Sequence, residues 1–392
     1  MAPTRRHTDD RLRLTRLARG LSQGDLARSA SVTRQAISGI ESGRWSPSLD
    51  VALSVARALD STVEELFGAA TESPPVRTRL AVAGDAITPG QIEAGRMLLA
   101  DVAGDTIAFP LTGDHTMVPG FVPALATGPI GGAGGAGGAG AAASPDTMPA
   151  GPRARRMPEQ IDARRIAPQT PTLAIAGCDP ALALLLGPLQ RHDPPINLAW
   201  WSTCNENAVA MLEASTVHAA ALHRGLNTRT RPRPGVEVVG FASWREGLAF
   251  HPRHEGKIRD LSDVVRHGLR IANREAGAEA RRLLDAELAR LKINSSKVAG
   301  YSSQTNGHLL TASAIASGMA DAAVTCEPAA LAYGLEFVPW QEELSELHIP
   351  RSLLGSAEVQ GLLDVLAGRE LPAQLAALQG YDADPCGRIV AA

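Results

Sequence analysis

Residues 172–186 read TLAIAGCDPALALLL, and this stretch sets the fold of the larger part of the chain. Leu173, Ala174, Ile175 and Ala176 form a short apolar run of the kind that makes a buried strand. Gly177 breaks it. Asp179 is a strong helix N-cap, and Pro180 suits the first helical position because its missing N–H would have had no partner there. The stretch therefore predicts strand, loop and helix start. Backbone N–H groups should then point out past Cys178 and Asp179, an arrangement that attracts anions.

Downstream the same grammar repeats. INLAWW (196–201) is an apolar strand, with a polar loop at Ser202–Asn207 and a helix behind it. VHAAALH is a buried strand ending at His223, and VEVVGFASWREGLAFH continues as strands through a hinge-like crossing. LRIANREAGAEARRLLDAEL gives strand, loop and helix, and ASGMADAAVTCEPAALAYG gives helix, strand, loop and helix. Strands alternating with helices imply a parallel sheet covered on both faces, with the ligand site beyond the carboxyl ends of its strands.

Upstream the chain is different. Residues 1–57 hold ten Arg and five acidic residues, a net of +5, while the whole chain carries −3, so the remainder carries −8. A basic head on an acidic body points to a local nucleic-acid contact. From Arg11 to Phe67 the pattern is five short helices. Leu12, Leu14 and Leu17 lie near one side of the first, and Ser22-Gln-Gly-Asp25 is a capping box. Thr33 caps TRQAISGIESG, which Gly43 ends. Ser46-Pro47 restarts a helix, and Ser61-Thr-Val-Glu64 forms a second capping box.

LSQGDLARSASVTRQAISGIESGRWSPSLDVALSVARALDSTVEELF (21–67) closely resembles the Cro and phage-repressor-like (XRE) helix-turn-helix regulators. Ser31 departs from the family's usual turn Gly. The resemblance implies that Gln23, Thr33, Arg34, Gln35, Ser38 and Arg44 meet double-stranded DNA, with Gln35 suited to adenine and Arg34 to guanine or phosphate. It also implies a homodimer, because one short recognition helix reads few base pairs. The motifs GCDPAL, WREGL, ANREAGAEARRLLD and GYSSQTNGHLLTASAIASGMADAAV, in that order, resemble the periplasmic-binding-protein-like domain that some bacterial regulators carry behind such a head. Relatives of that domain bind molybdate, tungstate or similar small ligands between two lobes.

The fold class expected is thus multidomain: an all-α helix-turn-helix head over 1–70 and an α/β two-lobed, type II periplasmic-binding-protein-like body over 171–392. Residues 71–170 are expected to be linker, with a small β element at about 97–128 and a flexible Gly/Ala run, GPIGGAGGAGGAGAAASP. Arg153, Arg155, Arg156, Arg164 and Arg165 are expected as a solvated basic stretch or as a DNA aid. Carried over residue by residue, the cleft should present Cys178, Asp179, Thr203, Cys204, Asn205, Arg274, Glu279, Arg281, His308 and Cys326. The relatives' Gly-Ser-Gly-Thr-Arg loop here reads Gly277-Ala278-Glu279-Ala280-Arg281, which trades two hydroxyl donors for a carboxylate and weakens the case for an oxyanion.

Cys178, Cys204 and Cys326 fall at strand ends and leave three readings open. They are small residues filling tight loops, redox or metal-sensing thiols activated at helix N-termini, or contacts to an organic ligand. His218 and His223 read as core and strand-end residues. From residue 171 on there is no Walker loop, Gly-x-Ser-x-Gly elbow, His-Glu-x-x-His or Gly-x-Gly-x-x-Gly, which argues against an enzyme. No cofactor is expected. No apolar run is long enough for a membrane span, and the charged N-terminus is no signal peptide, so a cytoplasmic protein is expected.

Overall fold

The computed structural model describes residues 6–67, 74–81, 92–111, 123–130, 160–228 and 233–390. It divides into two compact units, Met1–Ser73 and Pro74–Ala392.

The first unit is five helices: α1 (Arg6–Ala18), α2 (Gln23–Ser29), α3 (Arg34–Glu41), α4 (Leu49–Ala58) and α5 (Val63–Phe67). Ser22 and Asp25 close the expected capping box on α2, and Thr33 Oγ1 accepts from the Ala36 amide to cap α3. Ser31 does take a positive φ, 55°, in the turn between them. Two caps are shifted from the sequence reading. Ser48, not Ser46, caps α4, and the second box is Thr62 with Glu65, whose carboxylate accepts from the Thr62 amide at 2.9 Å. On α1 the inward side is Leu12 and Arg16, four residues apart and therefore on one face, while Leu14 and Leu17 are exposed. Arg16 reaches Glu41 in a buried bidentate pair at 2.6 and 3.0 Å, inside a core of Leu12, Leu26, Ile37, Val55, Leu59 and Leu66.

The second unit begins with a closed barrel of five strands: β1 (Val76–Leu80), β2 (Ile92–Val102), β3 (Asp105–Pro110), β4 (Ala126–Ile130) and β5 (Gln160–Arg165), in order β1-β3-β2-β4-β5. The region expected to be a linker with a small β element is therefore a folded part of the body. β2 and β3 turn at Ala103-Gly104, both with positive φ (52° and 92°), as a tight hairpin requires. Alternation along the strands fills the barrel with Met97, Leu99, Ala108, Ala126, Ile161 and Ala163. It turns Leu98, Ala100, Val102, Ile107 and Phe109 onto the neighbouring sheet. β4 pairs with β5, Ala126 opposite Arg165, so the Gly/Ala run departs from one barrel strand and returns to the next. Most of that run, and Arg153, Arg155 and Arg156, lie outside the described residues. Arg164 and Arg165 are in β5.

The body proper follows as β6 (Thr172–Ala176), a 3-10 turn (Pro180–Leu185) running into α6 (Leu186–Gln190), β7 (Asn197–Trp201), α7 (Asn205–Glu213), β8 (Ala219–Gly225) and β9 (Val236–Phe250). Then come α8 (Leu261–Arg266), β10 (Ile271–Arg274), α9 (Glu279–Arg290), β11 (Gln304–Thr305), α10 (Gly307–Ala316), β12 (Ala322–Cys326) and α11 (Glu327–Ala332). The chain closes with β13 (Glu336–Pro350), α12 (Ala357–Ala367), α13 (Glu370–Ala377) and β14 (Tyr381–Asp382). The sheet order is β11-β10-β12-β9-β13-β8-β6-β7, with β14 on β9. β6 is parallel to β7 and β8, and β10 is parallel to β11 and β12, but β9 and β13 are antiparallel to each other and to their outer neighbours. The sheet is mixed because these two 15-residue strands each pass from one lobe to the other. Their outer halves join different cores: Val239, Phe241, Leu347 and Ile349 pack with β6 and α12, while Leu248 and Phe250 pack with β10 and α9.

His218 is structural, as its strand-start position suggests. One ring nitrogen accepts from the Ala174 amide, and the other meets the Asp101 carbonyl at 3.0 Å, which ties barrel to sheet. No helix among the described residues is long and apolar enough to cross a membrane.

Glu41→Ala should destabilise the head by about 3 kcal/mol or more, because it strands a buried guanidinium. Urea unfolding of the full chain followed by far-UV circular dichroism checks this. Burial opposes ionisation of Glu41, yet hydrogen bonds from Arg16 and Gln23 outweigh it and hold the carboxyl below its ordinary 4.5. The pair's contribution is thus complete above that pH and fades as the pH falls through the lowered value.

Candidate functional site

On the head, Thr33, Arg34 and Gln35 stand exposed at the start of α3, with Ser38 half-buried one turn on. Arg44 is exposed and donates to Ser42 Oγ at 2.9 Å. Gln23 is placed differently from the others: its amide donates to Glu41 Oε2 at 2.7 Å and completes the Arg16–Glu41 cluster. Trp45 lies over Gly39, where a Cβ would come within 2.9 Å of the indole, so the glycine lets the loop pack onto the recognition helix.

In the body, strand register assembles a polar layer where β9 and β13 cross. Trp244 pairs with Glu343, Glu246 with Gln341 and with Cys326 of β12, and His223 with Ser345. Residues opposite one another in antiparallel strands share a face, so these side chains stand together on one face of the sheet, where Trp244, Glu246, Glu343, His223, Ser345 and Cys326 are buried. His223 is at the centre of this layer. Its Nδ1 lies 3.1 Å from Glu343 Oε2 and 4.0 Å from Glu246 Oε2, and a ring nitrogen lies within 4.8 Å of Cys178 Sγ. Gln341 donates to the other Glu343 oxygen at 2.5 Å. Trp244 packs beside the imidazole with centroids 5.4 Å apart. Burial opposes protonation of His223, but Cys178, Glu343 and Glu246 together raise its pKa well above the usual value.

Glu246 is fully buried, and neither carboxylate oxygen has a hydrogen-bond partner. Burial first, and the nearby Glu343, push its pKa up to about 7 against the pull of His223. His308 is also buried. Its Nδ1 accepts from the Cys326 amide at 3.1 Å and faces Arg274 Nη1 at 3.3 Å, so that nitrogen is the unprotonated one and Nε2 carries the hydrogen. Burial and the adjacent guanidinium keep this ring neutral, its pKa well below the usual value. Nε2–H has no partner.

Of the ten body residues read from the sequence, Cys178, Arg274, His308 and Cys326 meet in this layer. Asp179 does not. It accepts from the Ala181 amide (3.0 Å), Tyr381 Oη (2.7 Å) and Ser345 Oγ (2.9 Å), so the helix start that resembled an anion site is closed by its own carboxylate. Asn205 clamps the His223 backbone, donating to its carbonyl at 2.6 Å and accepting from its amide at 3.2 Å. Thr203 and Cys204 are buried beside that clamp. Glu279 pairs with Arg282 on its own helix. Arg281 donates to the Arg274 carbonyl at 3.0 Å and lies over the Tyr301 ring. Arg274 itself is held by a bidentate pair with Glu275 at 2.7 and 2.8 Å. Sequence reading missed Glu246, Glu343 and Trp244, and it read His223 as a plain strand end. The available signal in β9 was Glu246, a glutamate within an otherwise largely apolar run; β13, with Glu336, Glu342, Glu343 and Glu346, gave no comparable contrast.

The thiols do not gather. Among the described residues, the groups whose donor atoms lie within 4.8 Å of one another are Cys178 with His223 and His308, and His223 with Glu246 and Glu343. Cys204 and Cys326 belong to neither. Burial raises the pKa of both, overriding the helix N-termini that they cap.

A helix-turn-helix family model matches residues 12–66 and a PBP superfamily domain model matches residues 186–367. An uncharacterized helix-turn-helix transcriptional regulator of Methanothermobacter thermautotrophicus is 49% identical over 49 residues, 12% of this chain and 71% of that protein. The uncharacterized protein YvgK of Bacillus subtilis is 29% identical over 153 residues, 39% of this chain; the match spans 49% of YvgK's length. Among solved structures, the effector-binding domain of QuiR in complex with shikimate covers 50% of this chain and 95% of its own, with 10% identity and a TM-score of 0.38.

With three of the four cysteines buried, native protein at pH 8 should react with Ellman's reagent at Cys386 alone, and slowly, since burial pushes that thiol to about 11. Addition of denaturant should release all four within the mixing time, measured by absorbance.

Proposed function

Because this chain belongs to the helix-turn-helix transcriptional regulators and carries a PBP superfamily domain behind that head, we propose that it is a DNA-binding regulator whose two-lobed body closes on a small polar ligand. The observation that carries the ligand reading is the polar layer at the strand crossing. Both lobes feed it, and it contains a carboxylate with no hydrogen bond and an imidazole N–H with none. Buried polar groups are ordinarily satisfied, so orphaned ones between two lobes mark a place that a ligand completes.

An oxyanion such as molybdate or tungstate is the weaker choice. The buried guanidinium of the polar layer, Arg274, is already neutralised by Glu275, and the carboxylates of Glu246 and Glu343 would repel a second anion. A thiol-based redox switch is weaker still, since Cys178, Cys204 and Cys326 are buried and no two of them share a donor cluster among the described residues. On the DNA side, Thr33, Arg34, Gln35 and Ser38 supply the groove-facing groups, with Arg44 on the backbone and a homodimer reading two half-sites. Gln23 serves the recognition helix indirectly, by bonding Glu41 at its C-terminal end. Ligand control requires that the ligand favour one lobe arrangement over another, and that the arrangement bias DNA binding. The Gly/Ala run, an excursion between β4 and β5, is not the stretch that joins head to body, so coupling need not pass through it.

Arg34→Ala and Gln35→Ala should each cost roughly 10- to 100-fold in affinity for a specific operator while leaving non-specific binding within a few-fold, read by gel shift against random competitor. Unchanged selectivity in both would remove the DNA-reading assignment. A thermal-shift screen of metals, oxyanions, amino acids and nucleosides should stabilise the body with one class; a flat response would leave the body as an oligomerisation module.

A further inference from the structure

We infer that the crossing of β9 and β13 is a binding site for a divalent transition-metal cation, held by His223 Nδ1, Glu246 and Glu343. This deepens the sensing reading and rests on it only for its regulatory consequence; metal binding itself stands or falls separately.

The donor geometry comes first. His223 Nδ1 lies 3.1 Å from Glu343 Oε2 and 4.0 Å from Glu246 Oε2, and one donor atom from each of the three residues falls within 4.8 Å of the others. Bonds of about 2.0–2.2 Å to nitrogen and oxygen set donors roughly 3–4 Å apart around one cation. The orphaned carboxylate is independent of that spacing. Glu246 is fully buried and both of its oxygens are without hydrogen bonds, although polar neighbours surround it. Size then decides between ligand classes. The two oxygens are sealed from solvent, so with the lobes as they stand no organic group reaches them, whereas a bare divalent cation is smaller than a water molecule.

Charge agrees. With His223 neutral, two carboxylates balance a divalent ion. On binding, the Nδ1 proton leaves to solvent and Glu343 Oε2 exchanges its hydrogen bond for a coordinate bond. The Asn205 clamp on its backbone and Cys178 close to its ring hold the imidazole in place, as outer partners of ligating histidines commonly do. His308 is not a ligand: its Nδ1 already accepts from the Cys326 amide, which leaves Nε2 protonated and without a free lone pair. One imidazole and two carboxylates suit Mn2+, Fe2+ or Zn2+ rather than a soft monovalent ion.

The test uses untagged full-length protein stripped with a chelator and then titrated separately with Zn2+ and Mn2+ by calorimetry, with bound metal counted by elemental analysis. One equivalent should bind and raise the melting temperature by roughly 5 °C. Glu246→Gln, which keeps the shape and removes the charge, should weaken binding about 100-fold, and Glu343→Gln likewise. His192→Gln, outside the layer, should bind as the parent does. Failure of the parent to hold stoichiometric metal, or equal affinity in Glu246→Gln, overturns the site. Gel shifts on the same samples separate the two readings. Bound metal with unchanged operator affinity keeps the site and removes its sensing role. An operator response to an organic ligand or oxyanion, with no metal bound, removes the site and keeps the sensor.

Discussion

Everything in the body depends on two long antiparallel strands passing between lobes at one place. Each of β9 and β13 gives one half to each of two separate apolar cores, so the lobes fold as distinct packing units joined by a doubled backbone. Between those two cores the strands carry buried polar side chains next to a further apolar cluster that includes Trp244 and Cys326. There the sequence places Trp244, Glu246, Gln341 and Glu343, and antiparallel register turns all four to one side. The polar layer follows from that register, and a one-residue slip would turn these side chains to the opposite face.

Burying carboxylates in such a place is costly unless each finds a partner. The fold solves this for most of them. Asp179 takes three hydrogen bonds, Glu343 takes His223 and Gln341, and Glu275 takes Arg274. Of the carboxylates described in this layer, Glu246 is the one left without a hydrogen bond, at a position that joins β9 to both β12 and β13. Under the proposed sensing role, a group that neutralises Glu246 in one arrangement of the lobes and not in another would favour that arrangement. The head solves a similar problem in miniature, with Arg16, Gln23 and Glu41 closing a buried network behind the recognition helix.

The order of the elements was legible in the sequence wherever local signals are strong. Period and capping chemistry revealed the five helices of the head, the Asp179-capped turn after β6, and the alternating strands and helices of the body. Misplacements were small and local. Ser46 and Ser48 both precede helix-forming sequence, and only the packing of Ala52, Val55 and Leu59 selects Ser48 as the cap. The barrel was mostly missed, because its five strands are scattered over 76–165 and interrupted by residues with no strand signal, and closure is a long-range property. Ala126 meets Arg165 across a gap that no window of sequence spans.

By itself, then, the sequence determined that a small basic helix-turn-helix head precedes an α/β body with loops at its strand ends, because caps, turns and periodic burial are near-neighbour effects. It also named Cys178, Arg274, His308 and Cys326, each at or beside a strand end, which the fold brings to the buried polar layer. Only the tertiary structure decided which polar groups stay available. Asp179 looked free until Tyr381, about 200 residues on, bonded it; His223 looked like an ordinary strand end until Glu246 and Glu343 arrived from two different strands. Whether a buried polar atom is satisfied or left without a bond depends on partners distant in sequence, and in this chain that difference separates Asp179, a bonded cap, from Glu246, a carboxylate with no hydrogen bond.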